Sequence, residues 1–186
     1  PDWIFAPGGA AEAGLEALRA GKVRHLGFTG HKDPSFLLRM LEMEYPWSAL
    51  LMPVNVLDPG FHRSFVREIT PLAREKGVSI LGMKSLGGLG QFVTDGGMDP
   101  KECIRWALSQ EIASLVSGID SMAVLEQNLA VARGFQPMSR AELDEMCARY
   151  ADVAGDGRLE QFKTTQFYDS RVHRDQHFFP EVTTIN

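Results

Sequence analysis

The sequence predicts an α/β protein built on a parallel sheet, and three observations carry that expectation. Short, continuous apolar runs alternate with amphipathic, helix-period stretches four times along 186 residues. Strands that are apolar on both faces belong in sheets covered by helices. The repeat length is roughly 25 to 35 residues, the size of one strand–helix unit. Each apolar run also ends in polar or glycine residues: Thr29-Gly30-His31, Asn55, Met83-Lys84-Ser85 and Gly118-Ile119-Asp120-Ser121. In parallel α/β folds the carboxyl ends of the strands form the functional edge. Four such units make either an open doubly wound sheet or half of an eight-unit barrel.

Taken in order, Pro7-Gly8-Gly9 punctuates an opening loop. A helix follows over about 10–20, with Ala11, Leu15 and Leu18 on one face and Gly21 as its stop. Residues 23–29 form the first strand. Asp33-Pro34 starts a helix with a capping oxygen and a proline at the first helical position. Phe36, Leu37, Met40 and Leu41 form its buried face, and Tyr45-Pro46-Trp47 ends it. The second strand is 49–54, where Pro53 restricts hydrogen bonding on one side. A helix at about 64–76 buries Phe65, Ile69, Leu72 and Ala73, with a kink at Pro71. The third strand is 78–83. A second Asp-Pro pair, Asp99-Pro100, starts a helix that turns Cys103, Ile104, Ala107 and Leu108 inward. The fourth strand is 113–117, and Ser121 caps a helix with Met122, Leu125, Leu129 and Ala132 on one stripe. A capping box, Ser139-Arg140-Ala141-Glu142, opens the last helix, which runs to about Asp152. Residues 155–186 are polar and aromatic with little periodicity, and read as an extension packed on the body formed by 1–154, with a frayed end.

A net charge of −5 with no long basic run argues against nucleic acid and anionic membranes as main partners. No apolar run approaches membrane-spanning length. Cys103 and Cys147 are far apart and lack metal-ligand spacing, so free thiols in a reducing, cytoplasmic compartment are expected. The sequence opens at Pro1 without a methionine, so the expectation of a cytoplasmic protein leaves room for an upstream targeting segment. Between 82 and 90 lie Gly82, Gly87, Gly88 and Gly90. A loop with so little side chain lets backbone N–H groups approach an anion beside the Lys84 cation, or is simply flexible. Its spacing matches neither common nucleotide fingerprint.

At these residues the sequence resembles an aldo/keto reductase, from about Trp3 to Lys163. Gly21-Lys22-Val23-Arg24-His25-Leu26-Gly27-Phe28-Thr29-Gly30 is similar to that family's fifth strand. Gly77-Val78-Ser79-Ile80-Leu81-Gly82-Met83-Lys84-Ser85-Leu86-Gly87 is similar to its seventh. Ser117-Gly118-Ile119-Asp120-Ser121, followed by Leu125-Glu126-Gln127-Asn128-Leu129, is similar to its eighth strand and the helix after it. Phe28-Thr29-Gly30-His31, Pro53-Val54-Asn55 and Gly82-Met83-Lys84 resemble a bacterial subgroup. The resemblance implies an α/β fold of the (β/α)8 TIM-barrel type. This chain would supply strands five to eight, their helices and a C-terminal extension.

The resemblance also implies a site for NAD(H) or NADP(H). Thr29 falls near the nicotinamide carboxamide. Gly30 and Leu51 replace an asparagine and a glutamine, which removes two contacts, and Asn55 stands where it compensates. Met83 replaces a stacking aromatic ring, and its thioether does part of that packing. Lys84 faces cofactor or substrate, or forms a salt bridge across the barrel mouth. Ser85, Leu86 and Gly87 follow the loop beside the pyrophosphate. Gly118, Ile119, Asp120 and Ser121 line the adenosine end, with Gln127 and Asn128 at the adenine edge. The positions of cations that bind a 2′-phosphate read Gly118 and Val124, with Asp120 between them. A carboxylate there accepts from a ribose 2′-hydroxyl, so the lean is to NAD(H).

The family's catalytic aspartate, tyrosine, lysine and histidine fall upstream of Pro1, and no catalytic residue is assigned in this chain. Tyr45, Tyr150 and Tyr168 lack the required context. The implied reaction is reduction of a small aldehyde or ketone. The implied partner is the missing N-terminal half of the barrel, or partner chains covering two open parallel edges. Two alternatives stand beside it: a non-catalytic dinucleotide sensor, and a Schiff-base aldolase using Lys84. His31 is read as a site residue or as a loop histidine bonded to backbone. His173 and His177 have helical metal-ligand spacing, but the polarity around them favours a solvated tail.

Overall fold

In the computed structural model, which describes residues 2–165, four strands lie parallel in the order β1-β2-β3-β4. They are β1 (Leu26–Thr29), β2 (Trp47–Pro53), β3 (Ser79–Met83) and β4 (Ser114–Leu115). Sequential order means that every crossover runs in the same direction, which stacks the helices on one face. A doubly wound sheet would reverse its order part-way. The winding is therefore that of a barrel segment, the second of the two architectures expected.

The helices between and after the strands are α1 (Ala10–Arg19), α2 (Pro34–Glu42), α3 (Phe65–Glu75), α4 (Gln91–Thr94) and α5 (Pro100–Leu108). They continue with α6 (Met122–Arg133), α7 (Arg140–Arg149), α8 (Ala151–Ala154) and α9 (Gln161–Thr164). A 3-10 turn, Asp58–Gly60, precedes α3. The starts follow from local chemistry. Asp33 accepts from the Ser35 amide at 2.9 Å and Asp99 from that of Lys101 at 2.8 Å. Ser64 accepts from the Arg67 amide at 3.0 Å, and Ser139 and Glu142 complete a reciprocal capping box. Each such cap contributes about 1 kcal/mol.

On the helix-covered face, Leu50, Met52, Val54 and Ile80 join one core cluster with Phe65 and Ile69 of α3, Cys103 and Trp106 of α5, and Leu37 and Leu41 of α2. The other face carries Gly27 and Thr29, Ala49 and Leu51, and Leu81. Thr29 pairs with Leu51, and Leu51 with Leu81. These residues border an open hollow of about 290 Å³. A larger apolar groove of about 470 Å³ runs along the outer side of β1 and is lined by Ile4, Ala11, Leu26, Phe28, Met40 and Trp47, among others.

Several boundaries differ from the sequence expectations. The first strand begins at Leu26 rather than at 23, and β4 holds two residues rather than five. Trp47 joins β2 because it pairs with Leu26. Pro71 lies on the exposed side of α3, and the helix continues through it. The last predicted helix breaks at Tyr150, whose backbone leaves helical values before α8. Phe36, expected on the buried face of α2, is 54% exposed. The stripe of α6 exists, but no residue of that helix is buried, and Met122 is 68% exposed. Val116 and Ile119 beside it are also exposed, so the β4–α6 side presents an uncovered apolar surface among the described residues. Tyr168, His173 and His177 lie outside the described residues, as does most of the extension. No described helix is long and apolar enough to cross a membrane.

Candidate functional site

The carboxyl ends of the strands gather the polar residues picked out from the sequence. At the end of β1 the exposed Thr29 hydroxyl donates to the Leu51 carbonyl at 3.0 Å, and the Gly30 amide donates to the same oxygen at 3.2 Å. A Cβ on Gly30 would sit 2.8 Å from Leu37 Cδ2. Glycine there lets β1 close on α2, which gives the missing amide side chain a packing reason. His31 follows, its ring edge-on to Phe162 at 6.2 Å between centroids.

Asn55, past the end of β2, does not compensate for a lost cofactor contact in this structure. It is fully buried. Its Oδ1 accepts from the amides of Leu57 and Asp58, both at 2.9 Å, and its Nδ2 donates to Glu160 at 2.9 Å. The side chain has no hydrogen-bonding capacity left for a ligand beyond its second amide proton.

Glu160 belongs to a cluster that sequence reading did not find. The Lys163 ammonium donates to Asp58 Oδ1 at 2.6 Å and to Glu160 Oε2 at 2.9 Å, and all three side chains are 0% exposed. Asp58 also accepts from the Ser64 hydroxyl at 2.7 Å and from the amides of Phe65 and Val66 at 3.0 and 2.8 Å. The ammonium lies within 5.1 to 5.9 Å of the ring centres of Phe61, Phe65 and Phe162. Burial pushes the Glu160 carboxyl above the ordinary carboxylate range, and the Lys163 charge opposes that shift. Asp58 and Lys163 are separated by 105 positions, and no local periodicity links them. The available signal was the pair of charges in otherwise apolar, turn-rich surroundings.

At the end of β3, Met83 is half-buried and its carbonyl accepts from the Val54 amide at 2.9 Å. Lys84 has φ +57°, the one non-glycine residue in left-handed backbone among the described residues. That conformation costs about 1 kcal/mol or more and marks a position held by its surroundings. Its ammonium stands 4.5 Å from the centre of the Phe162 ring, and burial lowers its pKa below the ordinary lysine range. Ser85 and Gly87 turn inward rather than along an open groove, and both are buried. Gly87 has φ +82°, and a Cβ there would meet Gln91 at 3.0 Å and Phe92 at 3.2 Å. Leu86 is partly buried against the core. The pyrophosphate role expected of Ser85, Leu86 and Gly87 therefore has no open surface at Ser85 or Gly87 in this structure. The rim of that loop is Leu89, 68% exposed, and Gly90.

At the end of β4, Gly118, Ile119, Asp120 and Ser121 are exposed, and Ser121 caps α6 through the Val124 amide at 3.2 Å. Nothing lies within 4 Å of a Cβ built on Gly118. Asn128 donates to Ser117 Oγ at 3.1 Å and to the Gly118 carbonyl at 3.4 Å, which fixes this loop on α6. Gln127 is its neighbour, with Nε2 3.5 Å from the Asn128 oxygen. The site thus has two groups. Thr29, Met83 and Lys84 stand at the ends of β1 and β3, and Gly118 to Ser121 with Gln127 and Asn128 stand at the end of β4. Cys103 is fully buried and its thiol is pushed up to about 12 by burial, which makes it a core side chain.

No protein-family model matches the sequence, and no curated protein matches it. Solved structures do match the architecture of parallel strands wound as a barrel segment. The aldo-keto reductase AKR11C1 from Bacillus halodurans aligns in its apo form with a TM-score of 0.59 and 17% identity, over 81% of this chain and 59% of that one. Its holo form gives 0.58 and 18%, over 81% and 58%. Aldose reductase from Giardia lamblia gives 0.54 and 12%, over 81% and 54%. The chain thus has the aldo-keto reductase fold and spans somewhat more than half the length of these matched chains.

Proposed function

We propose that the chain is the carboxyl-terminal part of a nicotinamide-dependent oxidoreductase of the aldo/keto reductase type, which reduces an aldehyde or ketone. The observation that carries this is the convergence of polar strand ends on one edge of a sequentially wound parallel sheet with the aldo-keto reductase fold. The residues fit a dinucleotide at its two ends. Thr29, Met83 and Lys84 suit the nicotinamide end, and exposed Gly118 to Ser121 with Gln127 and Asn128 suit the adenosine end. Asn55 does not fit, and Ser85 and Gly87 are turned away. The dinucleotide, when bound, supplies hydride. Thr29 then offers a hydroxyl beside the ring, Met83 an apolar polarizable surface, and Lys84 a cation near the transferred charge. The exposed Asp120 favours a ribose 2′-hydroxyl over a 2′-phosphate, hence NAD(H) over NADP(H). The general acid comes from an upstream segment of the same protein. That segment, or a partner chain, would pair with the edge of β1 that no described strand occupies and cover the apolar side of α6.

The test uses the protein as expressed from its gene. NADH and NADPH are titrated by fluorescence, and oxidation of the bound nucleotide is then followed with a generic aldehyde. Binding with turnover supports the enzyme reading, and binding without turnover supports the sensor. Absence of binding to either nucleotide overturns both. Borohydride trapping of a carbonyl compound on Lys84 would instead support an aldolase.

A further inference from the structure

Phe162 and Lys163 are sequence neighbours with different partners. The Phe162 ring is fully buried and touches both His31, after β1, and Lys84, after β3. It thus bridges two strand ends that are not adjacent in the sheet. Lys163 enters the ion cluster with Asp58 and Glu160. The segment around them has further ties to the same edge. Lys32 Nζ donates to the Thr165 carbonyl at 2.5 Å, and Arg63 reaches the Lys163 carbonyl at 3.4 Å while pairing with Asp33 at 2.9 Å. Gly157, at φ +66°, allows the turn into the segment, where a Cβ would strike Phe61 and Thr164 below 3 Å.

A buried ion cluster is a weak way to add stability, since apolar side chains of equal volume often do as well. Its best-attested use is to fix register, and here the Lys163 ammonium is held between two carboxylates at 2.6 and 2.9 Å. A slip of one residue would exchange Phe162 and Lys163 at the edge of the site.

We propose that Lys163 is a positioning residue, whose bonds to Asp58 and Glu160 seat the buried Phe162 ring as a fixed aromatic support between His31 and Lys84. The role deepens the oxidoreductase reading, because Lys84, whose ammonium lies over this ring, stands at the nicotinamide end of the edge proposed above. It acts through Phe162, and Lys163 itself touches no ligand.

The experiment reads the ring directly and does not depend on turnover. Lysines of the expressed protein are reductively methylated with 13C-formaldehyde, and the Lys84 signal is assigned by its absence in Lys84→Arg. In the unaltered protein the Phe162 ring current moves the Lys84 methyl signal upfield of the exposed lysines, and Phe162→Leu removes that shift. Lys163→Met is expected to remove it too, with Phe162 still present, while the far-UV circular dichroism stays that of the folded protein. Should Lys163→Met fail to fold, Glu160→Gln keeps the Asp58 contact and is expected to reduce the shift by part. The proposal is overturned if the shift persists in Lys163→Met and in Glu160→Gln, or if the unaltered protein shows none. Absence of nucleotide binding by the unaltered protein would count against the oxidoreductase reading and leave this readout standing.

Discussion

Replacing Lys163 by methionine keeps the length of the side chain and removes the cation that bridges Asp58 and Glu160. Asp58 retains three donors, from Ser64, Phe65 and Val66. Among the described residues Glu160 retains the side-chain amide of Asn55 alone, at 2.9 Å, so it bears most of the loss. A fully buried carboxylate without a cation takes up a proton instead of staying charged. An ordinary glutamate has a pKa of 4.5 in the unfolded chain. Protonating it at neutral pH therefore costs about 1.4 kcal/mol for each pH unit above that value, or about 3 kcal/mol at pH 7. Breaking a buried ion pair by removal of one partner costs about 3 to 5 kcal/mol in other proteins, in agreement. The sign of the pH dependence follows. A carboxyl raised in the folded state favours folding below its unfolded pKa, and the advantage is lost as pH rises towards the folded value. The deficit of Lys163→Met should thus shrink to about 1 to 2 kcal/mol near pH 5.5. Urea unfolding of variant and unaltered protein at both pH values measures the difference, in which other titrating groups cancel. A deficit under about 1 kcal/mol at pH 7, or one unchanged by acidification, would refute the reasoning.

Asn55→Ala leaves the Leu57 and Asp58 amides without their acceptor in a buried turn and is expected to lower stability by about 2 to 4 kcal/mol in the same assay. Gly30→Asn places a Cβ 2.8 Å from Leu37, which is 1% exposed, and should lower stability by about 1 to 3 kcal/mol without restoring tighter nucleotide binding. If the proposed cofactor site is right, Asp120→Ser removes a carboxylate from its adenosine end, and the NADPH-to-NADH affinity ratio should rise about tenfold, equivalent to about 1.4 kcal/mol. Cys103, with its thiol raised to about 12, should resist a disulfide reagent at pH 8 until denaturant is added.

The parts of this fold legible in the sequence are the local ones. Asp33-Pro34, Asp99-Pro100 and Ser139 to Glu142 announce helix starts because their bonds close within a few residues. The apolar runs locate all four strands, and the polar ends locate the edge. Strand lengths were less legible, since pairing partners set them: β4 reaches only as far as Leu81 and Gly82 accept it. The stripe on α6 was visible, but periodicity reports that a face is apolar and not what covers it. At the site, Thr29 and Met83 were legible as strand-end residues. The fate of Asn55 was not, because it rests on Glu160, 105 positions away. The same distance hid the Lys163 cluster, where a lysine and two acids read as ordinary surface charges.

That separation has a consequence for the order in which the molecule is made. During synthesis the strands and the helices between them leave the ribosome well before residue 163. Asp58 can gather its three local donors early, in a turn that needs nothing from downstream. Its cation arrives more than a hundred residues later, after the sheet edge has had time to form. Closing so long a loop adds little beyond closing one half as long, since the entropic term grows only logarithmically. The last described turn therefore closes after the elements it joins, and through His31, Asp58 and Lys84 it ties together the segments that follow β1, β2 and β3.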